Sequence, residues 1–286
     1  MSWYNKYRSV LDKPVNCVSE ELISHISNNL SRFRSENPIA TVAIIAHNEE
    51  RKLLACLWSL SDNICNYPVE IIGVNNNSTD STEDVFKKTG VKYFFEEKKS
   101  PGYARKCALE NTKGKYHICI DADTLYPPNY IQTYIDELQK PNVIAVSALW
   151  GFIADKNTPK IGMYIYQTIR NIHVKLLSYK SPELSVRGMT FAFETEYGRR
   201  IGYRVDLKRG EDGSMALELK KFGKIKILTQ KKVKVATSTT TLNAKGSLLQ
   251  NFKIEIKKAL KGFRHYLIKQ DHYNDQQSNL ITQQTD

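Results

Sequence analysis

The feature that most constrains this chain is a rhythm in which continuous apolar, β-branched runs alternate with segments of helical periodicity, and the runs stop at clusters of polar residues. TVAIIA (41–46) runs into HNEE, EIIGV (70–74) into NNNSTD, and YHICI (116–120) into DADT. Continuous apolar character, as opposed to strict alternation, is what a strand covered on both faces requires. Between the runs, Leu53, Leu54, Leu57 and Leu60 recur at helical spacing, a helix is expected from about Ser81 to Lys88 with Gly90 ending it, and another over 102–112. VKYFF (91–95) and VIAVSAL (143–149) read as further strands, and a helix opens at Pro127-Pro128. Strands alternating with helices in this way imply right-handed crossovers and a Rossmann-type, mostly parallel sheet flanked by helices, an α/β fold.

Ligands of such sheets bind beyond the carboxyl ends of the strands, and the three polar clusters all fall on that rim. No G-x-G-x-x-G follows the first strand and no G-x-x-x-x-G-K-[ST] occurs anywhere, which excludes the dinucleotide fingerprint and the P-loop. With 286 residues, 41% hydrophobic and 25% charged, the chain can bury a sizeable core, so wholesale disorder is excluded. Its five cysteines form no C-x-x-C pair and read as reduced thiols of a cytosolic protein. The N-terminal stretch has no apolar run of signal-peptide length, and Val143 to Ala154 is too short to span a bilayer, so a cytoplasmic location is expected.

The net charge of +12 is localised: Arg199 to Lys269 carries 19 basic and 5 acidic residues. Such a region points to phosphates, anionic lipid or nucleic acid as partner. The organisation expected is an N-terminal helical extension (1–38), with Leu22, Ile23, Ile26, Leu30 and Phe33 at helical spacing, then one domain over 39–245. That domain has a nucleotide-binding half (39–150) and an acceptor half (151–245), and is followed by an amphipathic basic helix (246–269) and a polar tail (270–286). In the second half, a helix over 161–177 places Tyr164, Ile165, Ile169, Ile172 and Leu176 on one side, expected to pack into the core.

Asp121 and Asp123 flank Ala122 at the end of the YHICI strand. At i and i+2 of an extended segment both carboxylates point the same way and offer two hard oxygen ligands to one divalent cation and a diphosphate bound to it. Two aspartates before a Pro-Pro pair also suit a turn or helix cap; their place on the rim favours the metal. Glu211-Asp212 precedes Met215, Leu219 and Phe222, and here Asp212 reads as a helix cap and Gly223 as a left-handed stop.

Taken in order, A-H-N-E-E, V-N-N-N-S-T-D-S-T, G-Y-A-R-K, D-A-D and R-G-E-D before a helix resemble glycosyltransferase family 2, the inverting nucleotide-sugar enzymes of GT-A fold, over about residues 39–245. The resemblance implies Ala46, Glu49 and Asn75 near the base, Arg105 near the base or phosphates, and Asp121 near the ribose. It implies Asp123 on a Mn2+ or Mg2+ ion bridging the diphosphate, and Asp212, beside Glu211, as general base. Arg187-Gly188 before MTFAF suits a tight backbone approach near the sugar, or equally a plain loop glycine. Members commonly carry proline and an aromatic where this chain has Ala46 and His47, and acids where it has Asn75 and Asn76. An asparagine carbonyl still accepts the imide N–H of uracil, so a UDP-sugar is the first expectation, with guanine or thymine nucleotides behind it.

The function expected is thus metal-dependent, inverting transfer of a sugar from a nucleotide-diphosphate donor to a glycan or lipid-linked acceptor, in cell-surface polysaccharide or glycolipid synthesis. The alternative is a non-catalytic basic module binding membrane or nucleic acid on a degenerate fold, which would need neither the Asp121/Asp123 pair nor Glu211-Asp212. A nucleotidyltransferase would carry a glycine- and arginine-rich loop after the first strand, whereas AHNEERK has no glycine. Nucleic acid is not the partner expected. From Leu248 to Ile268 apolar residues recur at helical spacing beside a Lys253, Lys257, Lys261, Arg264 stripe, which suits either packing on the domain or an in-plane helix on an anionic membrane at its inner face.

Overall fold

The computed structural model describes residues 2–153, 160–207 and 209–239. The first half contains α1 (Glu20–Leu30), β1 (Ala40–Ala46), α2 (Leu53–Ser61), β2 (Val69–Asn75), α3 (Thr82–Thr89), β3 (Lys92–Phe95), α4 (Pro101–Glu110), β4 (Tyr116–Asp121), β5 (Thr124–Leu125) and α5 (Tyr130–Leu138). The second contains β6 (Val143–Ala148), β7 (Trp150–Phe152), α6 (Lys160–Lys180), β8 (Ala192–Glu194), α7 (Thr195–Ile201), α8 (Glu211–Leu219), β9 (Lys224–Leu228) and β10 (Val235–Thr237). The basic segment 246–269 and the tail 270–286 lie outside the described residues.

The main sheet has seven strands in the order β3-β2-β1-β4-β8-β6-β9. β1 to β4 are mutually parallel and β9 is parallel to β6, while β8 runs antiparallel between β4 and β6. The α/β class and mostly parallel sheet expected from the sequence are therefore present, with one reversed strand. After β1 the chain builds outward through β2 and β3, then returns to lay β4 on the other side of β1. That reversal puts a topological switch point at the carboxyl ends of β1 and β4, the position at which open α/β sheets bind ligands. A second sheet, β5-β10-β7, sits beside it, with β10 antiparallel to β5 and parallel to β7.

The N-terminal extension is built into the main core. Ser19 caps α1 by accepting from the Leu22 N–H, and Ile23, Ile26 and Leu30 are buried; Tyr7, Val10 and Val15 join the same cluster as β1 and α2. Two sequence expectations need correction. α6 turns Met163, Tyr166, Arg170 and Val174 inward, with the Arg170 guanidinium 4.3 Å above the Trp150 ring. Tyr164, Ile165, Ile172 and Leu176, expected in the core, face outward; periodicity reports a stripe and not the side that finds a partner. Gly223 is not a left-handed stop either, since the described glycines at positive φ are Gly90, Gly202 and Gly210. α8 already ends at Leu219, and Gly223 instead lets β9 approach β6, where an added Cβ would lie 3.0 Å from Asn142 O and Ile144 Cβ.

Candidate active site

Strand register gathers the rim. Ala46 pairs with Asn75 across β1 and β2, and Ile45 with Asp121 across β1 and β4, so the three polar clusters begin at one level. The loops after β1 and β2 are laced together. His47 Nδ1 lies 2.7 Å from the Asn76 carbonyl oxygen, Asn48 N–H donates to Ser78 Oγ, Thr79 N–H donates to Asn48 Oδ1, and Glu49 N–H donates to Thr82 Oγ1. Asn48 and Asn77 adopt left-handed backbone conformations, φ 54° and 52°, which asparagine tolerates. His47 thus serves the backbone.

Asn75 and Asn76 are buried and already employed. Asn75 Oδ1 accepts from Ser78 N–H at 3.1 Å; Asn76 donates to the Glu96 and Lys98 carbonyls and accepts from Ser100 N–H, tying the β3 loop to the rim. Ser100 then caps α4, accepting from Tyr103 N–H, with Pro101 in the first turn. Glu49 stands near both aspartates of the D-A-D segment. Burial, then the charge of Asp123, push its carboxyl up to about 7, with Lys52 at 3.1 Å pulling the other way.

β4 ends at Asp121 and Ala122-Asp123 turn instead of continuing extended, so the expected i, i+2 alignment is corrected: Asp121 faces Arg105 and Asp123 faces Thr237 and Ser238. The turn is held by Tyr126, whose hydroxyl accepts from Asp121 N–H and donates to the Met189 carbonyl. Asp123 is steadied from far along the chain: Thr237 Oγ1 donates to its Oδ1 at 3.3 Å and Ser238 Oγ to its Oδ2 at 2.6 Å, both from β10 or its end. The set fits a hard divalent cation. Carboxylate oxygens are the right donors, and hydroxyls behind Asp123 orient it as outer-shell groups orient ligands. Among the described residues no three His, Cys, Asp or Glu side chains form a metal cage; one or two carboxylates completed by phosphates is how Mg2+ is commonly bound.

Arg105, on α4, is the centre of the site. Its side chain is fully buried; Nη1 donates to the Ile120 carbonyl at 3.1 Å, Nη2 to Asp121 Oδ1 at 2.5 Å, and Nε lies 3.4 Å from Asp212 Oδ1. Burial works against its charge, and the carboxylates of Asp212 and Asp121 outweigh this and raise its pKa further. Arg105, implied near the base or phosphates, turns its guanidinium toward protein oxygens and joins two carboxylates from distant segments.

Asp212 does not cap its helix. Gly210, at φ 99°, is the N-cap residue and makes no side-chain cap bond, while Glu211 Oε2 accepts from Gly210 N–H at 3.0 Å. Asp212 points instead to Arg105 and to Tyr203, whose hydroxyl donates to Oδ1 at 3.4 Å. Burial raises its carboxyl to about 7; Arg105 opposes that shift and the neighbouring Glu211 adds to it. Asp121 is raised to about 6, by burial first and by the Asp123 and Asp212 charges, again against Arg105. The backbone of Gly188 presses on this bridge, for a Cβ there would overlap Asp212 Oδ2 and Arg105 Nη2. The close approach at Gly188 is thus made to protein side chains.

The model of the family described as Glycosyl transferase family 2 matches residues 41–194, which include both strand-end clusters and the D-A-D segment. The chain belongs to glycosyl transferase family 2. Curated relatives include an uncharacterized glycosyltransferase of Rickettsia prowazekii, 39% identical over 74 residues. Another is the SPbeta prophage-derived glycosyltransferase SunS of Bacillus subtilis, 34% identical over 96 residues. The matched parts are 25% and 32% of this chain, and span only 23% and 22% of those proteins.

Among solved structures, the mannosyltransferase PcManGT of Pyrobaculum calidifontis with GDP-Man and Mn2+ superposes at TM-score 0.58 with 19% identity, over 86% of this chain and 72% of that one. Glucosyl-3-phosphoglycerate synthase of Mycobacterium tuberculosis with Mn2+, UDP-glucose and phosphoglyceric acid gives 0.51 and 16%, over 84% of each chain. S. aureus TarS with UDP-GlcNAc gives 0.51 and 19%, over 70% of this chain and 58% of that one. At these identities the likeness is one of fold, the GT-A fold of nucleotide-sugar transferases.

The family 2 match ends at Glu194, so Glu211 and Asp212 lie beyond it and rest on geometry. Sequence reasoning missed Tyr203, Thr237 and Ser238. Thr237 and Ser238 are visible in the sequence as polar residues, but nothing local says that they return to Asp123, more than a hundred residues away.

Proposed function

We propose that this chain moves a sugar from a nucleotide-diphosphate donor to an acceptor hydroxyl, with inversion at the anomeric carbon. The observation that carries the reading is the Asp121–Arg105–Asp212 bridge, which fixes a strand-end carboxylate and a helix-start carboxylate on one crevice. A binding module has no need of a buried acid aimed this way. Asp212 takes the proton of the acceptor hydroxyl as its oxygen attacks the anomeric carbon, and Arg105 and Tyr203 hold Asp212 in place while it does so. One base and direct displacement give inversion. Glu211, fixed by the Gly210 N–H, flanks the base.

Ala46, Glu49 and Asn75 line the base side of the donor, and Asp121 the ribose side. Asp123, with Asp121 beside it, is the place for Mn2+ or Mg2+, which would stabilise charge on the departing diphosphate. The Mn2+ bound with sugar nucleotides in the Pyrobaculum and Mycobacterium proteins supports this. A UDP-sugar is the favoured donor, because the Asn75 carboxamide oxygen has a second lone pair for the uracil imide N–H, and the Mycobacterium and S. aureus proteins hold UDP-sugars. The acceptor is a glycan or lipid-linked hydroxyl of cell-surface polysaccharide or glycolipid synthesis, met by residues after 150. A cytoplasmic enzyme attached peripherally at the inner membrane face through residues 246–269 is part of the same proposal. Among the described residues no helix is long and apolar enough to cross a membrane.

The test is a thermal-shift panel of UDP, GDP and dTDP with and without Mn2+, since a ligand that binds only the folded state raises the melting temperature. UDP with Mn2+ should give the largest shift, and Asp123→Ala should abolish it. Equal shifts in EDTA would remove the metal from Asp123. Asp212→Asn should keep the shift and lose donor turnover; turnover near wild type would remove the base.

A further inference from the structure

α6 presents outward what its sequence pattern would have buried. Ile161, Tyr164, Ile165, Ile172, Leu176 and Tyr179 are between 47% and 88% exposed, and they fall on one face of the helix. From Ile161 to Tyr179 the stripe is about 27 Å long at 1.5 Å per residue. Surface apolar residues scattered singly need no explanation, but six large ones on one helix face, broken only by Thr168 and Lys175, mark a surface that is covered in use. The opposite side of the helix is already satisfied by Phe152, Trp150 and the rest of the fold.

Charge identifies the cover. α6 contains no aspartate or glutamate. Lys175 is exposed within the stripe, and along the same edge Gln167 Oε1 accepts from Phe152 N–H and sits against Gly151, where the Lys234 ammonium also approaches. Lys231 and Lys232 are exposed just before Lys234. Burial, together with the charges of Arg170, Lys175 and Lys231, holds the Lys234 ammonium below its ordinary range, so these cations feel one another. Among the described residues no carboxylate pairs with Lys175, Lys231, Lys232 or Lys234.

We propose that the exposed face of α6 lies in the plane of an anionic membrane, its isoleucines, leucine and tyrosines at the headgroup boundary and Lys175 and Lys231 on lipid phosphates. An amphipathic helix with aromatic and aliphatic residues on one face and lysines at its edge is the pattern of an interfacial helix, and each basic residue near an anionic surface adds attraction. The chain's own segment 246–269 is a poorer cover, for it would bring Lys253, Lys257, Lys258 and Lys261 against the same cations. A second copy would bring to this face the same lysines and, from α6, no carboxylate to meet them. The proposal does not rest on the glycosyl-transfer reading.

The experiment is co-sedimentation of the full chain with phosphatidylcholine vesicles, with and without phosphatidylglycerol, for wild type, Ile165→Ser/Ile172→Ser and Lys175→Glu/Lys231→Glu. Binding should require phosphatidylglycerol, weaken with salt, and fall roughly tenfold or more in each double variant with an unchanged melting temperature, as loss of buried apolar area or of two surface cations predicts. Vesicle binding that both variants leave intact overturns the proposal. So does a serine variant that melts lower without losing vesicle binding, which would put a segment of the same chain on α6. A loss of dimer on sedimentation, again with vesicle binding kept, would put a second copy there and overturn it equally.

Discussion

The Arg105 guanidinium lies with Nε 3.4 Å from Asp212 Oδ1, joining α4 to the first turn of α8 far along the chain. Its other edge holds Asp121, so a single buried cation sets the spacing between the rim where the donor is expected and the acid expected to act on the acceptor. Both carboxylates are costly to keep ionised in this position. Burial raises both, and Arg105 is what keeps them from rising further.

Arg105→Met should therefore destabilise the fold by about 3–5 kcal/mol, the usual cost of leaving buried charge unpaired. Urea unfolding at pH 7.5 measures it. A variant with an unchanged midpoint would mean that the two carboxylates find solvent and that the bridge is not structural.

Gly188→Ala should be damaging although the residue is small and its backbone ordinary. Its Cβ would overlap Asp212 Oδ2 and Arg105 Nη2, and overpacking of this kind costs roughly 1–3 kcal/mol. The larger effect should fall on turnover, because displacing an acid by about an ångström can cost on the order of a hundredfold. Donor binding in the thermal-shift assay should persist. Full turnover would show that Asp212 moves aside without penalty.

Much of this was legible in the sequence, and the exceptions have physical reasons. The strands β1, β2, β4 and β6 announce themselves because each is covered on both faces and so reads as a mostly apolar run. β8 and β10 have three residues each, too few for a period, and only long-range pairing makes them strands. The rim clusters were visible because strand ends and polar residues coincide. Asp212 was ambiguous because the sequence cannot tell a cap from an acid: Gly210 takes over the cap position at φ 99°, and that torsion is not written in the residue types around it. The direction of α6 was unreadable for a similar reason, since both of its faces carry large apolar residues.

His117 gives a prediction on stability. It is buried in β4, with Nδ1 2.7 Å from Thr112 Oγ1 and its ring 5.1 Å from that of Phe193. Burial, with Arg105 and Arg199 nearby, lowers its pKa to about 3. The unfolded chain takes up a proton near pH 6.5 while the native state refuses it until about 3, so this contribution is complete above 6.5 and is lost as the pH falls. The slope is about 1.4 kcal/mol per pH unit. Glu49, Asp121 and Asp212, with raised values, act in the opposite direction over the same interval. The difference between wild type and His117→Phe in urea midpoints at pH 7 and pH 5 isolates the histidine: the variant should lose less stability on acidification. Parallel losses would mean that His117 is protonated in the native state.

The pH dependence of turnover tests Asp212 most directly. With its carboxyl raised to about 7 by burial, the ionised form that accepts a proton dominates only above that value. Donor turnover should rise about tenfold per pH unit up to pH 7 and level off above it, as for a single essential base. Asp121, raised to about 6, adds a second loss below that pH through weaker donor binding, which appears in the Michaelis constant and can be separated by saturating donor. Removing the positive charge with Arg105→Met should move the limb in saturating turnover to higher pH, because the cation that opposes the upward shift is gone. Tyr203→Phe should move it the same way by a smaller amount, since the phenol hydrogen bond also favours the ionised acid. A limb that stays near 7 in both variants would assign it to some other group and remove Asp212 from the proton transfer.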